Sequence, residues 1–148
     1  MSNIKILVVI PARGGSKGIP RKNVRLMVGK PLISYSIENA LNSVYNPDVV
    51  VSTDDDEIAR ISSSYGARVI VRPENLATDS VTLDPVIFHA MNEMEKEQNV
   101  QYDVVITMQP TSPLLKRETL DAAIEYFINN DFDTVLSGIN KPHLSWTE

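Results

Sequence analysis

The stretch IKILVVIPARGGSKGIPRKN, from Ile4 to Asn23, joins an apolar run to a loop that is rich in glycine and positive charge. The run itself, IKILVVI, is apolar at nearly every position, which is typical of a parallel strand buried on both faces. The loop has three glycines, no acidic residue and four cations, Arg13, Lys17, Arg21 and Lys22. A buried strand that ends in such a loop indicates an α/β sheet with an anion site at its edge.

Similar runs recur along the chain and alternate with segments of helical pattern. Strands are predicted at Ile4–Ile10, Asp48–Thr53, Ala67–Val71, Tyr102–Met108 and Asp133–Gly138. Helices are predicted to start near Pro31, Asp55, Leu83 and Lys116. This alternation predicts one α/β domain over residues 1–148, with a doubly wound, mostly parallel, Rossmann-like sheet and helices on both faces. Ligands of such sheets bind at the carboxyl ends of the strands, where the opening loop, STDDD and MQPTSP should meet.

Composition narrows the class of protein. The 148 residues carry a formal net charge of -5 and a sequence pI of about 5.0, which argues against nucleic-acid binding because that requires a basic face. The chain has no cysteine, which excludes disulfides and thiolate metal sites. Its apolar runs are too short for a membrane span and MSNIK does not resemble an export signal, so we expect a cytoplasmic protein without a membrane partner.

The basic loop fits neither of two familiar phosphate-binding patterns. The spacing G-x-x-x-x-G-K-[ST] fails because Ile19 and Pro20 stand where the second glycine would be, and G-x-G-x-x-G fails at Ser16 and Lys17. A different phosphate cradle is predicted, in which amides of the glycine-rich backbone turn inward and side-chain cations surround the anion. The alternative is a solvated, flexible loop.

Four motifs together resemble those of the cytidylyltransferases that activate sialic-type sugars, the CMP-N-acylneuraminate synthetases and their relatives. They are IPARGGSKGIPRKN, VSTDDDEIA, RPENLATDS and QPTSPL, in this order between Ile10 and Leu114. The resemblance implies a nucleotidyltransferase that joins CTP to the anomeric hydroxyl of a nine-carbon keto-sugar acid and releases pyrophosphate. It also implies Mg²⁺ or another divalent cation, and a role in cell-surface glycan synthesis.

The resemblance also implies roles for individual residues. Arg13 and Lys22 would be catalytic, since they would hold the triphosphate and stabilise the leaving pyrophosphate. The nucleotide-binding residues implied by the first motif are Arg13, Gly14, Ser16, Lys17, Gly18, Lys22 and Asn23. The stretch RPENLATDSVT would recognise cytosine through Arg72, Ser80 and Thr82. The alternative for this stretch is an ordinary loop in which Asp79 or Ser80 caps the next helix.

The turn MQPTSPL would face the sugar acid through Gln109, Thr111 and Ser112. Its amide and hydroxyls match the many hydroxyls of such a substrate, and by resemblance Gln109 contacts the sugar. The alternative is that Thr111 and Ser112 cap the helix that starts near Lys116. Both roles are compatible with one turn.

The run STDDD suggests a metal site, but consecutive residues at a helix start cannot all converge on one ion. Asp54 and Glu57 instead match a capping arrangement. We therefore expect a structural role for the run, with Asp54 alone as a weak candidate near the ligand or metal.

Members of the resembled family usually extend well beyond the equivalent of KPHLSWTE, which ends this chain. We expect the chain to lack the family's C-terminal segment, which supplies a dimerisation arm and acidic metal ligands. Three functions remain open: a cytidylyltransferase core, a nucleotide-binding module without turnover, and a nucleotidyltransferase for another sugar acid such as a shorter keto-deoxy acid. The family is typically homodimeric, but the sequence leaves the oligomeric state of this chain open.

Overall fold

A computed structural model describes residues 3–138. Its main sheet has four parallel strands, which are β1 (Ile6–Pro11), β4 (Asp48–Thr53), β5 (Arg68–Val71) and β6 (Val104–Thr107). They lie in the order β5-β4-β1-β6. Two short antiparallel strands, β2 (Leu26–Met27) and β3 (Lys30–Pro31), form a separate hairpin. The predicted α/β class is confirmed.

Four α-helices connect and flank the strands: α1 (Leu32–Leu41), α2 (Asp56–Ser64), α3 (Leu83–Gln98) and α4 (Arg117–Ile128). Two short 3-10 turns, Lys22–Val24 and Glu74–Leu76, lie in the loops that follow β1 and β5. Within residues 3–138, no helix has the length and apolar character that a bilayer crossing requires.

The central strand β1 packs on both of its faces, which explains its continuous apolar sequence. Val8 and Ile10 belong to a cluster that includes side chains from α1, α2 and α4. Leu7 and Val9 belong to a second cluster, formed with Ala90 and Met94 of α3 and with neighbouring strands. Helices therefore cover both faces of the sheet, as the sequence predicts.

Several predicted bounds agree with the structure. The strand Asp48–Thr53 and the start of α3 at Leu83 are reproduced. The remaining shared elements differ by a few residues at their ends. Gly66 has a φ of +99° directly after the last turn of α2, as expected for a glycine that ends a helix.

The predicted strand at Asp133–Gly138 is wrong. These residues form no strand, and Leu136 is 88% exposed. A β-branched run becomes a strand only when a neighbouring strand accepts its backbone hydrogen bonds, and within residues 3–138 β6 pairs only with β1.

Candidate functional site

A cavity of about 430 Å³ lies at the carboxyl ends of the strands, as the topology predicts. Its walls come from the loops after β1, β5 and β6 and from the first turn of α3. The volume is within the range of small-molecule sites. The predicted site residues that line it are Arg13, Ser16, Lys17, Gly18, Lys22, Asn23, Arg72, Thr82, Gln109 and Thr111.

Four other predicted residues lie outside this lining: Gly14, Asp54, Ser80 and Ser112. Two of them contact each other, because the Gly14 amide donates a hydrogen bond of 2.9 Å to Oδ1 of Asp54. The amide that we expect to face an anion is thus occupied by a carboxylate of the protein. Ser80 is exposed, and its hydroxyl is 3.1 Å from that of Thr78.

The cap of α2 is Asp55, so the predicted capping by Asp54 is wrong by one residue. Asp55 Oδ1 accepts a 2.9 Å hydrogen bond from the amide of Ile58. Asp54 is the residue that contacts the opening loop. One turn of chain thus contributes two neighbouring carboxylates to different tasks, one to the helix and one to the loop.

Arg21 is a compensated cation, contrary to its appearance in the sequence. Its guanidinium donates two hydrogen bonds to Asp55, at 2.5 and 3.0 Å, and another to Glu57. The hydrogen bonds from Arg21 lower the pKa of Asp55 to about 2. Desolvation of the carboxylate opposes this shift, and hydrogen bonds from the backbone amides at the start of α2 reinforce it. The Asp55 and Glu57 carboxylates in turn raise the pKa of Arg21. This cluster fastens the opening loop to the start of α2.

Arg13 and Lys17 both contact Asp79, which belongs to the loop between β5 and α3. Arg13 Nη1 donates to Oδ1 of Asp79, and Lys17 Nζ lies 3.1 Å from Oδ2. Hydrogen bonds from Lys17, which has the larger effect, and from Arg13 hold the pKa of the Asp79 carboxyl below its usual value. The alternative role for Asp79 or Ser80 is wrong, because α3 begins after Thr82 without a side-chain cap.

Arg72 is a buried cation, with only 7% of its surface exposed. Nη2 donates to the carbonyl of Ser52 at 3.0 Å and Nε donates to the Ser52 hydroxyl at 3.3 Å. Burial lowers the pKa of this guanidinium, which the Asp54 carboxylate opposes and the Arg13 charge reinforces. Within residues 3–138, the side-chain hydrogen bonds of Arg72 come from Nε and Nη2, and the residue lines the cavity.

The turn after β6 contributes neutral polar groups. The Ser112 amide donates to the carbonyl of Gln109 at 3.2 Å, which closes the turn, and Gln109 and Thr111 line the cavity. The alternative that Thr111 or Ser112 caps α4 is wrong. The cap position of α4 is Lys116, and it makes no side-chain hydrogen bond there.

The electrostatics of the cavity are those of an anion site. Its walls carry four cations, Arg13, Lys17, Lys22 and Arg72, and a single carboxylate, Asp79. Lys22 makes no ion pair with any part of the chain that the structure describes. The chain as a whole is acidic, with a net charge of -5, but this cavity is locally positive. Such a cavity attracts a small anion and raises its local concentration.

The described residues do not fit a preformed metal centre. Across residues 3–138, no group of three or more histidine, cysteine, aspartate or glutamate side chains is placed to hold an ion. Asp54 is bonded to the Gly14 amide, and Asp79 is paired with two cations. A magnesium ion held by a single carboxylate and by substrate phosphates would require no such group.

The sequence model of the family described as cytidylyltransferase matches residues 7–145, which is nearly the whole chain. The chain belongs to the cytidylyltransferase family. This assignment confirms the resemblance that the four motifs indicate.

Two curated relatives are similar to this chain over most of its length. A pseudaminic acid cytidylyltransferase from Campylobacter jejuni is 49% identical over 128 residues, covering 86% of this chain and 55% of the relative. A CMP-N,N'-diacetyllegionaminic acid synthase from Legionella pneumophila is 44% identical over 123 residues, covering 82% and 53%. The chain therefore spans about half the length of the curated relatives it matches.

A solved structure confirms the fold. The CMP:2-keto-3-deoxy-manno-octonic acid synthetase in complex with CTP superimposes with a TM-score of 0.72 at 25% identity, covering 85% of this chain and 48% of that one. The predicted nucleotidyltransferase core is thus confirmed as the fold of the described residues.

Sequence reasoning missed part of the cavity wall. Leu76, Val81 and Val86 supply apolar surface, and Asp79 supplies the carboxylate. All four lie within or just after RPENLATDSVT, the motif that predicts Arg72 and Thr82. The motif indicated that this segment reaches the site, but only the folded chain shows which of its side chains do so.

Proposed function

We propose that this chain is the CTP-binding core of an enzyme that transfers CMP to the anomeric hydroxyl of a nonulosonic acid and releases pyrophosphate. The observation that carries the proposal is the cavity with four cations at the carboxyl edge of a cytidylyltransferase fold. The two relatives described above are named for pseudaminic and legionaminic acids, which supports a nine-carbon keto-sugar acid as the substrate.

The proposed chemistry depends on charge and position. The anomeric hydroxyl loses its proton to solvent and its oxygen forms a bond to the α-phosphorus of CTP. The bond between that phosphorus and the bridging oxygen breaks, and the oxygen leaves as part of pyrophosphate. Negative charge builds on the leaving pyrophosphate, and fixed cations stabilise such charge most effectively in a partly enclosed site. We assign this task to Arg13 and Lys22, with Lys17 and the backbone around Ser16 and Gly18 holding the remaining phosphate oxygens.

The base and the sugar are assigned to opposite walls. Arg72 is a buried donor fixed by Ser52, and it lies on the same cavity as Thr82. A cytosine ring presents O2 and N3 as acceptors, which a guanidinium and a hydroxyl complement. Gln109 and Thr111 lie on the wall formed after β6, where their neutral polar groups suit a sugar acid. Asn23, with Nδ2 donating to the Arg13 carbonyl at 3.3 Å, positions the basic loop.

A divalent cation belongs to the proposal as a companion of the triphosphate. When bound, it would neutralise charge on the phosphate oxygens. Among residues 3–138, Asp54 is the residue that we propose as its ligand.

The test is calorimetric titration of the chain with CTP, UTP, ATP and GTP in excess Mg²⁺. We expect CTP to bind at least tenfold more tightly than the others, and Arg13→Ala to abolish this binding. Arg25→Ala is the matched control, because Arg25 is an exposed cation outside the cavity. Equal affinity for the four nucleotides, or no binding by a folded protein, would overturn the proposal.

A second measurement separates an enzyme from a binding module. Pyrophosphate release is followed after CTP is mixed with pseudaminic, legionaminic or N-acetylneuraminic acid. Release that depends on one of these acids identifies the substrate. Selective CTP binding without release would favour a nucleotide-binding module over an active transferase.

A further inference from the structure

The Asp79 carboxylate lies between two cations of the cavity wall, Arg13 and Lys17. One of its oxygens accepts from Arg13 Nη1 and the other is 3.1 Å from Lys17 Nζ. A phosphate group engages two neighbouring cations in the same manner, one oxygen to each. Asp79 is also the only acidic residue among the cavity walls that the structure describes.

No other structural task accounts for Asp79 within residues 3–138. It does not cap α3, which begins after Thr82, and its side-chain bonds go to Arg13 and Lys17. Its side chain is half exposed, at 51%, so burial does not fix its position either. The two cations are therefore what holds this carboxylate in place.

The loop that carries Asp79 has few ties to the rest of the protein. Thr78, Asp79, Ser80 and Thr82 lie on or near the surface, with none of them buried. The hydrogen bonds within this segment are local, from the Ala77 amide to Glu74, from the Val81 amide to Thr78 and between two hydroxyls. A segment with local hydrogen bonds and little burial opens at a small fraction of the global unfolding free energy. It can move without disturbing the sheet.

We propose that Asp79 sets the anion affinity of this site, because a ligand phosphate has to displace its carboxylate from Arg13 and Lys17. The inference rests on the anion-binding part of the proposed function. The apparent affinity of a site equals its intrinsic affinity multiplied by the fraction of time during which the site is accessible. Exposed ion pairs of this kind contribute little free energy, so removal of the Asp79 charge should raise anion affinity by about three- to tenfold.

The test uses inorganic pyrophosphate as the probe, in buffer without divalent cations, with the full chain. Asp79→Asn keeps the size of the side chain and removes its charge, while Asp79→Glu keeps the charge. Asp84→Asn is the matched control, because it removes an equal charge from exposed surface five positions away and outside the cavity walls.

We expect Asp79→Asn to bind pyrophosphate about three- to tenfold more tightly than the wild type. Asp79→Glu and Asp84→Asn should remain within about twofold of it. Hydrogen exchange should accelerate at residues 77–82 in Asp79→Asn and not in Asp84→Asn. Unchanged or weaker pyrophosphate binding by Asp79→Asn would overturn the inference. Unchanged binding would show that the Asp79 carboxylate does not compete with the anion, and weaker binding would show that it supports the site. An equal gain in affinity in Asp84→Asn would also overturn the inference, because the gain would then come from the change in net charge and not from the contact of Asp79 with the two cations.

These outcomes are separable from those of the nucleotide titration. Pyrophosphate carries no base, so a gain in Asp79→Asn together with equal binding of all four nucleotides would retain Asp79 as a competitor and reject the cytidine specificity. Selective CTP binding with no gain in Asp79→Asn would do the reverse.

Discussion

Gly14 lies against Asp55 so closely that a Cβ atom at residue 14 would be 2.8 Å from Oδ2 and 3.0 Å from Cβ of Asp55. Asp55 cannot move aside freely, because it caps α2 and accepts two hydrogen bonds from Arg21. The glycine is thus required by contact between the basic loop and the start of α2. At Gly15, its neighbour, an added Cβ atom would meet no described atom within 4 Å.

Gly14→Ala should lower the free energy of unfolding by about 1 to 3 kcal/mol, because the added methyl overpacks a fixed contact. Gly15→Ala is the control and should change it by less than about 0.5 kcal/mol. Urea denaturation of both variants measures the difference. Equal stability of the two would show that the loop relaxes without resistance.

Arg21→Ala should weaken CTP binding about threefold without contact between residue 21 and the ligand. The reason is that Arg21 lies outside the cavity walls and fastens the loop that carries Arg13 and Lys22 to Asp55 and Glu57. Arg25→Ala removes an equal charge from exposed surface and should leave the affinity unchanged. If both variants lose affinity equally, Arg21 acts through net charge and not by positioning the loop.

Arg72→Met should separate binding from stability. The variant removes a buried charge, whose desolvation opposes folding, and the Ser52 carbonyl keeps its 2.9 Å hydrogen bond from the Ala12 amide. We expect the free energy of unfolding to change by less than about 1 kcal/mol, while CTP affinity falls more than about tenfold, as for a lost charged hydrogen bond.

The control for Arg72→Met is Arg68→Met, an exposed arginine at the start of β5. It should leave both quantities near those of the wild type. Chemical denaturation and calorimetric titration of the same samples supply the two numbers. A large loss of stability in Arg72→Met without loss of CTP affinity would assign Arg72 to the framework of the protein.

Asp55 should make stability depend on pH at the acid end. Its folded pKa of about 2 lies below the ordinary value of 3.8, so its contribution is fully present above pH 3.8 and is lost as pH falls through 2. Asp55→Asn preserves an acceptor at the helix cap and removes the ionisation. The stability difference between wild type and variant should therefore be constant from pH 7 to 5 and should vanish toward pH 2.

Thermal unfolding at pH 7, 5, 3 and 2 checks this dependence. Asp56→Asn is the matched control, because Asp56 lies in the same helical turn and makes no ion pair within the described residues. A wild-type minus Asp55→Asn difference that persists at pH 2 would contradict the assigned pKa.

The order of strands and helices was accessible from sequence because it depends on local periodicity. Continuous apolar runs are typical of strands buried on both faces. The strands β1 and β4 follow this rule, because each contributes residues to both core clusters. The rule failed at Asp133–Gly138, where the same composition forms no strand among the described residues. Composition indicates a preference for strand, but pairing depends on a neighbour that the pattern does not specify.

The site divides in the same way between sequence and tertiary structure. By itself, the sequence determined that a glycine-rich basic loop follows the first buried strand, and that the motifs containing Arg72 and Gln109 reach the same edge. Only the tertiary structure decided which cations are compensated. Arg21 pairs with a carboxylate 34 positions away and Arg13 with one 66 positions away. Such pairs depend on which loops the sheet brings together, because Coulomb attraction acts over distance in space and carries no signature in sequence spacing.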